Sequence, residues 1–253
     1  MEPEVESGAP LTDRELSWLE FDHRVLELAR RPDVPILERL KFVAIAANNL
    51  DEFYMVRVGG LERHAALGDE VPNLSRVTDR ARALSLDIAR AFENEVLPAL
   101  AAEGIEFIRP DAVDRPLAER LRAYYRREVH PCLTPIAIDV SHPFPVLRSG
   151  SLNMALRVKA DTDGHGIGQG ELMALVQVPS VLPRFVNFPA DDQPYRFMAM
   201  EDIIRRFVGE LFPGHSMLEA SVFRVTRASD LDIAEDEAED LLSTIEDELR
   251  RRD

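Results

Sequence analysis

Residues 34–61, VPILERLKFVAIAANNLDEFYMVRVGGL, decide how the first half of the chain folds, because they carry its longest helical pattern. Apolar side chains recur there at intervals of three and four residues, which is the spacing of one face of an α-helix. They are Ile36, Leu40, Val43, Ala47, Leu50, Tyr54, Val58 and Leu61. This pattern predicts a long helix whose apolar face lies in a protein core.

A second stripe on the same helix mixes aromatic and polar side chains. Its members, again three and four residues apart, are Phe42, Ile45, Asn49, Phe53 and Arg57. An asparagine amide both donates and accepts hydrogen bonds, as an adenine edge requires, while phenylalanine offers a stacking face and arginine suits phosphate. The stripe therefore allows a nucleotide site at Asn49, with Phe53 and Arg57 as neighbours. On the residues alone, a hydrogen bond from Asn49 to an adjoining helix is the commoner outcome.

Helical patterns on both sides of this stretch predict a bundle. Ser17 and Glu20 have the spacing of a capping box at the start of a helix. The apolar face that follows consists of Phe21, Val25 and Leu28. A further helical pattern covers about residues 75–102. Three helices joined by short turns predict an antiparallel helical bundle over residues 13–104, preceded by a flexible leader at 1–12.

The pattern changes after residue 104, and residues 105–253 are predicted to form an α+β head domain with a small, mostly antiparallel sheet. Alternation of apolar and polar residues predicts half-buried strands at about 152–158 and 172–178, with a candidate third at 222–226. Helices are predicted around 115–129, 201–211 and 234–252. The fold class of the whole chain is therefore α+β.

Composition narrows the classes of protein to which the chain can belong. Its 46 acidic and 30 basic side chains give a net charge of −16, which argues against a protein that binds duplex nucleic acid through a basic surface. Cys132 is the one cysteine, and no cysteine and histidine spacing suits zinc, so the sequence predicts neither disulfides nor a metal site. No secretory signal and no membrane-spanning apolar run are present. These features predict a cytoplasmic protein.

Four other features of the sequence resemble sites but have structural interpretations. The glycine-rich stretch 161–170 precedes a strand, whereas a phosphate-binding loop opens a helix, so it is predicted to be a solvent loop. The acidic run 230–240 lacks the ligand spacing of a calcium loop. His130 and His142 could act as phosphate acceptors or bases, but no orienting carboxylate lies at motif spacing. No catalytic residue is assigned.

Several longer motifs resemble one enzyme family. The first half resembles the amino-terminal helical domain of the bacterial polyphosphate kinases, through ELSWLEFDHRVLELA at 15–29 and the stretch 34–61. The second half is similar to the head domain of the same family, through LTPIAIDVSHPFPVL, SLNMAL, ALVQVPSVLPRFV, LFPG and FRVTRASDLDIAEDEAEDLLSTIEDELRRR. The order of these motifs makes the resemblance specific from residue 15 to residue 253.

The resemblance implies an activity and partners. Enzymes of this family are transferases that move the terminal phosphate of ATP, with Mg²⁺, reversibly onto polyphosphate. Their amino-terminal domain roofs the nucleotide pocket, and the second asparagine of NNLDEF contacts ATP, which implies ATP binding at Asn49. Their head domain is the main dimer contact, which implies a homodimer through residues 105–253.

Departures from the family pattern limit these implications. The carboxyl-terminal domains that carry the phosphorylated histidine have no counterpart in the 253 residues, so the chain resembles a truncated enzyme that is inactive alone. Phosphoryl transfer to a polyanion also needs clustered cations, of which a chain at −16 shows no obvious excess. Smaller departures are Arg148, Ser149 and Gly150 before SLN, and Ala228 after VTR. A non-catalytic interaction or regulatory module derived from the family is the alternative.

Overall fold

The computed structural model describes residues 13–138, 144–160 and 171–228. The chain divides into two compact units, and the main division falls between Glu103 and Gly104. Some features interpreted from sequence lie outside the described residues: the leader 1–12, His142, the loop 161–170, the acidic run 230–240 and the helix predicted at 234–252.

The first unit is helical, as predicted. Its helices are α1 (Arg14–Arg30), α2 (Ile36–Phe53), α3 (Gly59–Ala66), α4 (Leu74–Ala91) and α5 (Leu97–Ala102). Two π-helical turns continue the chain between helices, Tyr54–Val58 after α2 and Phe92–Val96 after α4. Helix α1 packs against both α2 and α4. None of the helices in the described ranges is long and apolar enough to cross a membrane.

Helix α1 begins one turn earlier than the capping box predicts. Asp13 is the N-cap residue, and its Oδ1 accepts a hydrogen bond of 3.0 Å from the backbone N–H of Leu16. Its Oδ2 accepts another, of 2.7 Å, from Nδ2 of Asn73, the residue that precedes α4. The predicted cap at Ser17 is therefore wrong. The carboxylate of Asp13 accepts hydrogen bonds at the starts of both α1 and α4.

Replacing Asp13 with alanine is expected to lower the free energy of unfolding by about 1–2 kcal/mol, since an N-cap acceptor is lost. The hydrogen bond from the Leu16 N–H, the largest influence, holds the pKa of Asp13 below its usual value. This contribution is present above the unfolded-state pKa and is lost as the pH falls through the lowered one. Urea unfolding measures the change, and Glu15→Ala in the same helical turn is the control. Equal midpoints for the two variants would contradict the assignment.

The buried faces of α1 and α2 differ from the predicted ones. In α1 the buried residues are Leu19, Asp22, Leu26 and Ala29. Phe21, which the sequence placed in the core, is half exposed. At the end of α2 Phe53 is buried, whereas Tyr54 in the π turn and Leu61 in α3 are only partly buried. A π turn accommodates one extra residue, so the turn at Tyr54–Val58 shifts the helical phase of the residues that follow it, such as Leu61.

The described part of the second unit contains two α-helices and seven strands. The helices are α6 (Arg115–Tyr124), which continues into a π turn at Tyr125–Val129, and α7 (Met200–Phe207). Short 3-10 turns lie at Pro110–Ala112, His130–Cys132 and Val208–Leu211. The strands are β1 (Ile105–Phe107), β2 (Pro135–Ile138), β3 (Leu152–Ala160), β4 (Glu171–Gln177), β5 (Phe185–Asn187), β6 (Tyr195–Ala199) and β7 (His215–Arg224).

These strands form two small sheets where the sequence predicted one. The four-stranded sheet has the order β2-β4-β3-β7 and is antiparallel throughout. The three-stranded sheet has the order β1-β6-β5, with β1 parallel to β6 and β5 antiparallel to it. The predicted strands at 152–158 and 172–178 are confirmed, and the third candidate is the end of β7. The α+β fold class is confirmed.

The prediction that β3 is half-buried is wrong for most of the strand, because both faces are covered at residues 153–156, although Lys159 is exposed. Met154, Leu156 and Val158 lie in the core that α6 and α7 share with the sheet. Ala155 belongs to a second, smaller apolar cluster on the opposite face. Asn153 is buried as well, and its Nδ2 donates to the backbone oxygen of Ser151 at 3.0 Å. The second cluster explains why alternation with polar residues did not mark an exposed face.

Candidate functional site

The two helices of the predicted site are joined by one hydrogen bond between side chains. Asn49 of α2 donates from Nδ2 to Oδ1 of Asp22 on α1 at a distance of 3.0 Å. Asp22 is fully buried, whereas Asn49 is partly exposed. The interhelical hydrogen bond, which was the alternative to a ligand contact, is therefore present. It uses only one of the two amide hydrogens of Asn49.

The carboxyl group of Asp22 sits in an unusual environment for a charge. Burial raises the pKa of Asp22 to about 6, and the hydrogen bond from Asn49 acts in the opposite direction. Oδ2 is buried without a hydrogen-bond partner among the described residues. At pH 7 the group is still mostly ionised, since the pH lies about one unit above this pKa.

The ionised carboxyl fixes the orientation of the Asn49 amide. A carboxylate only accepts hydrogen bonds, so the amide nitrogen faces Asp22 and the amide oxygen faces away from it. One N–H and the oxygen of Asn49 then have no protein partner within the described ranges. A donor beside an acceptor is the combination that pairs with an adenine edge.

Phe53 does not offer the stacking surface that the sequence suggested. Its side chain is 1% exposed and stacks on Trp18, with 4.9 Å between ring centroids and 23° between planes. Trp18 itself is partly exposed. Because Trp18 and Asp22 are four residues apart on α1, as are Asn49 and Phe53 on α2, the two contacts lie one helical turn apart.

The surface near Asn49 combines apolar and positively charged groups. Ile45, one turn before Asn49, is 46% exposed. Arg57 is partly exposed in the π turn, and within the described ranges it has no hydrogen bond or ion pair. Two of the three predicted residues, Asn49 and Arg57, are therefore available to a ligand. Sequence reasoning missed Trp18 and Asp22, although the acid at position 22 between buried leucines was a signal.

The other candidates have structural surroundings. His130 packs edge-to-face on Tyr125, with 5.7 Å between ring centroids. The thiol of Cys132 is exposed and donates to the backbone oxygen of Glu128 at 3.3 Å. Gly150 has a φ of +74°, a value that favours glycine, in the turn where the Ser151 N–H donates to the Arg148 oxygen. In the parts of the chain that the structure describes, no three His, Cys, Asp or Glu side chains could share a metal ion.

Comparison with known proteins gives concordant results for both units. The family model of the polyphosphate kinase N-terminal domain matches residues 11–108, and that of the polyphosphate kinase middle domain matches residues 117–253. The polyphosphate kinase of Mycolicibacterium gilvum (strain PYR-GCK) is 43% identical over 265 residues, covering 99% of this chain and 36% of the relative. That of Streptomyces coelicolor is 43% identical over 249 residues, covering 95% of this chain and 32% of the relative.

A solved structure extends the likeness to three dimensions. The crystal structure of polyphosphate kinase from Porphyromonas gingivalis matches with a TM-score of 0.79 and 30% sequence identity. The match covers 90% of this chain and 34% of that one. The chain thus spans about a third of the length of the relatives that it matches.

Proposed function

The chain belongs to the polyphosphate kinase family, and we propose that it forms the amino-terminal and head regions of such an enzyme, including part of its ATP pocket. The complete enzyme transfers the terminal phosphate of ATP reversibly to polyphosphate. The residues described here bind and orient the nucleotide, and the chemistry belongs to regions that this chain does not match. The orientation of Asn49 by the buried Asp22 is the observation that carries the proposal.

The adenine base is recognised at Asn49. The remaining N–H donates to a ring nitrogen of the base, and the amide oxygen accepts from the exocyclic amine. Ile45 supplies apolar surface beside the base. The partly exposed Trp18, supported from behind by Phe53, takes the stacking role that the sequence assigned to Phe53.

The phosphates lie toward Arg57. Eight residues separate it from Asn49, which is about 12 Å along a helix at 1.5 Å per residue. This separation suits the two ends of an extended nucleotide. Because the Arg57 guanidinium has no protein partner in the described ranges, it can donate hydrogen bonds to a phosphate without breaking an existing ion pair.

Further parts of the proposal rest on the family resemblance. The head region, residues 105–253, forms a homodimer. ATP arrives with Mg²⁺, and the described residues supply no ligand set for that ion. The chain is cytoplasmic, and by itself it forms no polyphosphate from ATP, since the phosphorylated histidine of the family has no counterpart here.

ATP titration of the 253-residue chain tests the nucleotide site directly, because Trp18 is its single tryptophan. ATP is expected to quench the emission of Trp18. Asn49→Ala is expected to raise the apparent Kd about tenfold, the equivalent of one lost hydrogen bond of about 1.4 kcal/mol. The matched control is Asn48→Ala, which removes an adjacent, exposed amide and should leave the Kd unchanged.

Two results would overturn the nucleotide site. One is an equal loss of affinity in Asn48→Ala and Asn49→Ala. The other is equal affinity for GTP, because guanine presents a carbonyl oxygen where adenine presents an amine. Circular dichroism of both variants checks that the helices remain folded.

A further inference from the structure

A cleft of about 400 Å³ in the second unit is lined mainly by arginines. It lies between α6 and α7, and its lining residues are Arg115, Ala118, Glu119, Arg122, Arg206 and Phe207. Three guanidinium groups face one carboxylate, which is an excess of two positive charges. The chain as a whole carries −16, so this arginine cleft departs from the average charge.

The acidic neighbours of the arginine cleft leave its cations largely uncompensated. Arg115 is 3.5 Å from Glu119, with 92% and 72% of the two side chains exposed, so water screens this pair. Glu210 is held by Arg126 through hydrogen bonds of 2.8 and 3.3 Å and is farther from Arg122, at 3.7 Å. Arg206 has no hydrogen bond or ion pair in the described part of the chain. The arginine cleft therefore offers guanidinium groups that still lack strong partners.

The floor of the arginine cleft is apolar. Phe207 is buried, and the Arg122 guanidinium lies 5.5 Å from the centre of its ring. Ala118 adds only a methyl group. An excess of positive charge on low-dielectric walls concentrates the electrostatic field, so an anion in the arginine cleft is attracted more strongly than at a flat surface.

The spacing of the arginines indicates an extended anion. Arg115 and Arg122 are seven residues apart on α6, which is two helical turns or about 10 Å. Arg206 approaches from α7. One phosphate group cannot span two guanidinium groups at that separation, but consecutive phosphates along a chain can. Single-stranded nucleic acid requires exposed aromatic rings on which bases stack, and Phe207, the one ring in the lining, is covered.

We infer that the arginine cleft binds a linear polyphosphate chain in the second unit, at a site distinct from the nucleotide site in the first. The identity of the polyanion rests on the proposed function, because a polyphosphate kinase meets polyphosphate as substrate and product. The arginines act by binding alone, through charge-assisted hydrogen bonds to phosphate oxygens.

Fluorescence anisotropy of end-labelled polyphosphate with the 253-residue chain tests this inference. The double variant Arg122→Gln/Arg206→Gln is expected to weaken binding about tenfold or more, since two charge-assisted contacts are lost. It should also reduce the slope of log affinity against log salt by about one to two. Arg206→Gln alone serves as a second variant that breaks no ion pair of the described structure.

The matched control removes two positive charges from the same region without touching the arginine cleft. Arg127→Gln/Arg205→Gln qualifies, because these side chains pair with Glu128 and Asp202 and do not line the cleft. Its polyphosphate affinity should stay within about twofold of that of the unaltered chain, as expected for screened surface charges. An equal loss of polyphosphate affinity in both double variants would mean that binding depends only on the net charge of the region, and it would overturn the inference.

Competition distinguishes the possible anions. Orthophosphate, ATP and RNA are each compared with unlabelled polyphosphate at equal total phosphate. Polyphosphate alone should displace the probe efficiently, and equal displacement by any of the others overturns the assignment of a linear polyphosphate site. Absence of binding by the unaltered chain also overturns it.

The two proposed sites fail independently. Asn49→Ala should leave polyphosphate affinity unchanged, and Arg122→Gln/Arg206→Gln should leave the quenching of Trp18 by ATP unchanged. Loss of nucleotide binding with retained polyphosphate binding would refute the nucleotide site alone. The reverse result would refute the arginine cleft alone.

Discussion

Replacing Phe53 with alanine is expected to lower the free energy of unfolding by about 3–5 kcal/mol, the usual cost of removing a buried phenylalanine side chain. The ring is 1% exposed and stacks on Trp18 at 4.9 Å, so its loss leaves a cavity between α1 and α2. Urea unfolding followed by circular dichroism measures the change. Phe21→Ala, which removes a half-exposed ring from α1, should change the unfolding free energy by no more than about 0.5 kcal/mol.

The same variant decides between two roles for Phe53. A residue that stacks directly on a nucleotide would lose ATP affinity on truncation and cost little stability. If Phe53 instead supports Trp18 from the core, its truncation mainly lowers the stability of the fold. Near-normal stability of Phe53→Ala together with lost ATP affinity would contradict the core position and restore the sequence-based assignment.

Replacing Asp22 with asparagine is expected to stabilise the chain at pH 8 by up to about 3 kcal/mol, since burial raises the pKa of Asp22 to about 6, well above the usual value of about 4 for an aspartate in an unfolded chain. A raised pKa means that the folded state binds the proton more tightly than the unfolded state. The penalty of burying the charge is therefore absent below about pH 4 and complete above about pH 6. Asparagine carries no charge, so the variant should gain stability over the original chain as the pH rises through this window.

Unfolding free energies measured from pH 4 to pH 8 test whether the stability gained by Asp22→Asn increases with pH. Glu20→Gln is the control on the same helix, because the hydrogen bond from Arg80, the largest influence, lowers the pKa of Glu20. Its carboxylate contributes stability that is lost as the pH falls, so this variant should show a trend opposite to that of Asp22→Asn. Parallel trends in the two variants would contradict the burial of a charge at Asp22.

In Asp22→Asn, the stability of the fold and the affinity for ATP are expected to change in opposite directions. Asparagine both donates and accepts, so it no longer forces the amide nitrogen of Asn49 to face α1. ATP affinity, measured by quenching of Trp18, is expected to fall although the fold becomes more stable. A buried carboxylate that costs stability and serves to orient a neighbouring amide illustrates the exchange of stability for function that is common at binding sites.

The sequence singled out Asn49 because helical spacing alone brings it into one stripe with the aromatic and basic residues of 42–57, and nucleotide binding there stays a prediction. The sequence-based assignment failed for Phe53 because the buried face of α2 passes through Val43, Leu50 and Phe53, so Phe53 lies on the core side of that stripe. The π turn at Tyr54–Val58 begins only after Phe53 and shifts the phase of the residues that follow it. The face of α1 was wrong for a different reason. Leu19, Asp22 and Leu26 lie on the buried stripe, and an acid at its centre made the neighbouring stripe through Phe21 the more apolar choice.

In the second unit, the two strands with clear alternation were predictable, the short strands were not, and of the ten-residue β7 only the end was predicted. Strands β3 and β4 span nine and seven residues, whereas β1 and β5 span three each. Three residues carry too little periodicity to distinguish a strand from a loop. The arginine cleft was missed because the net charge of −16 is an average over the chain, whereas binding depends on where α6 and α7 place their side chains.

The parallel pairing of β1 with β6 also has a consequence for the order in which the chain acquires its structure. Ile105 pairs with Tyr195, and Arg196 donates to the carboxylate of Glu106 at 2.8 Å, so the two partners lie 90 residues apart along the chain. During synthesis, β1 leaves the ribosome long before β6 exists. The residues that form the contacts between α1 and α2 are closer in sequence, so these contacts can form before β6, the pairing partner of β1, has been synthesised. Folding of the second unit is accordingly the slower, late step, since pairings between distant segments bear the larger entropy of loop closure.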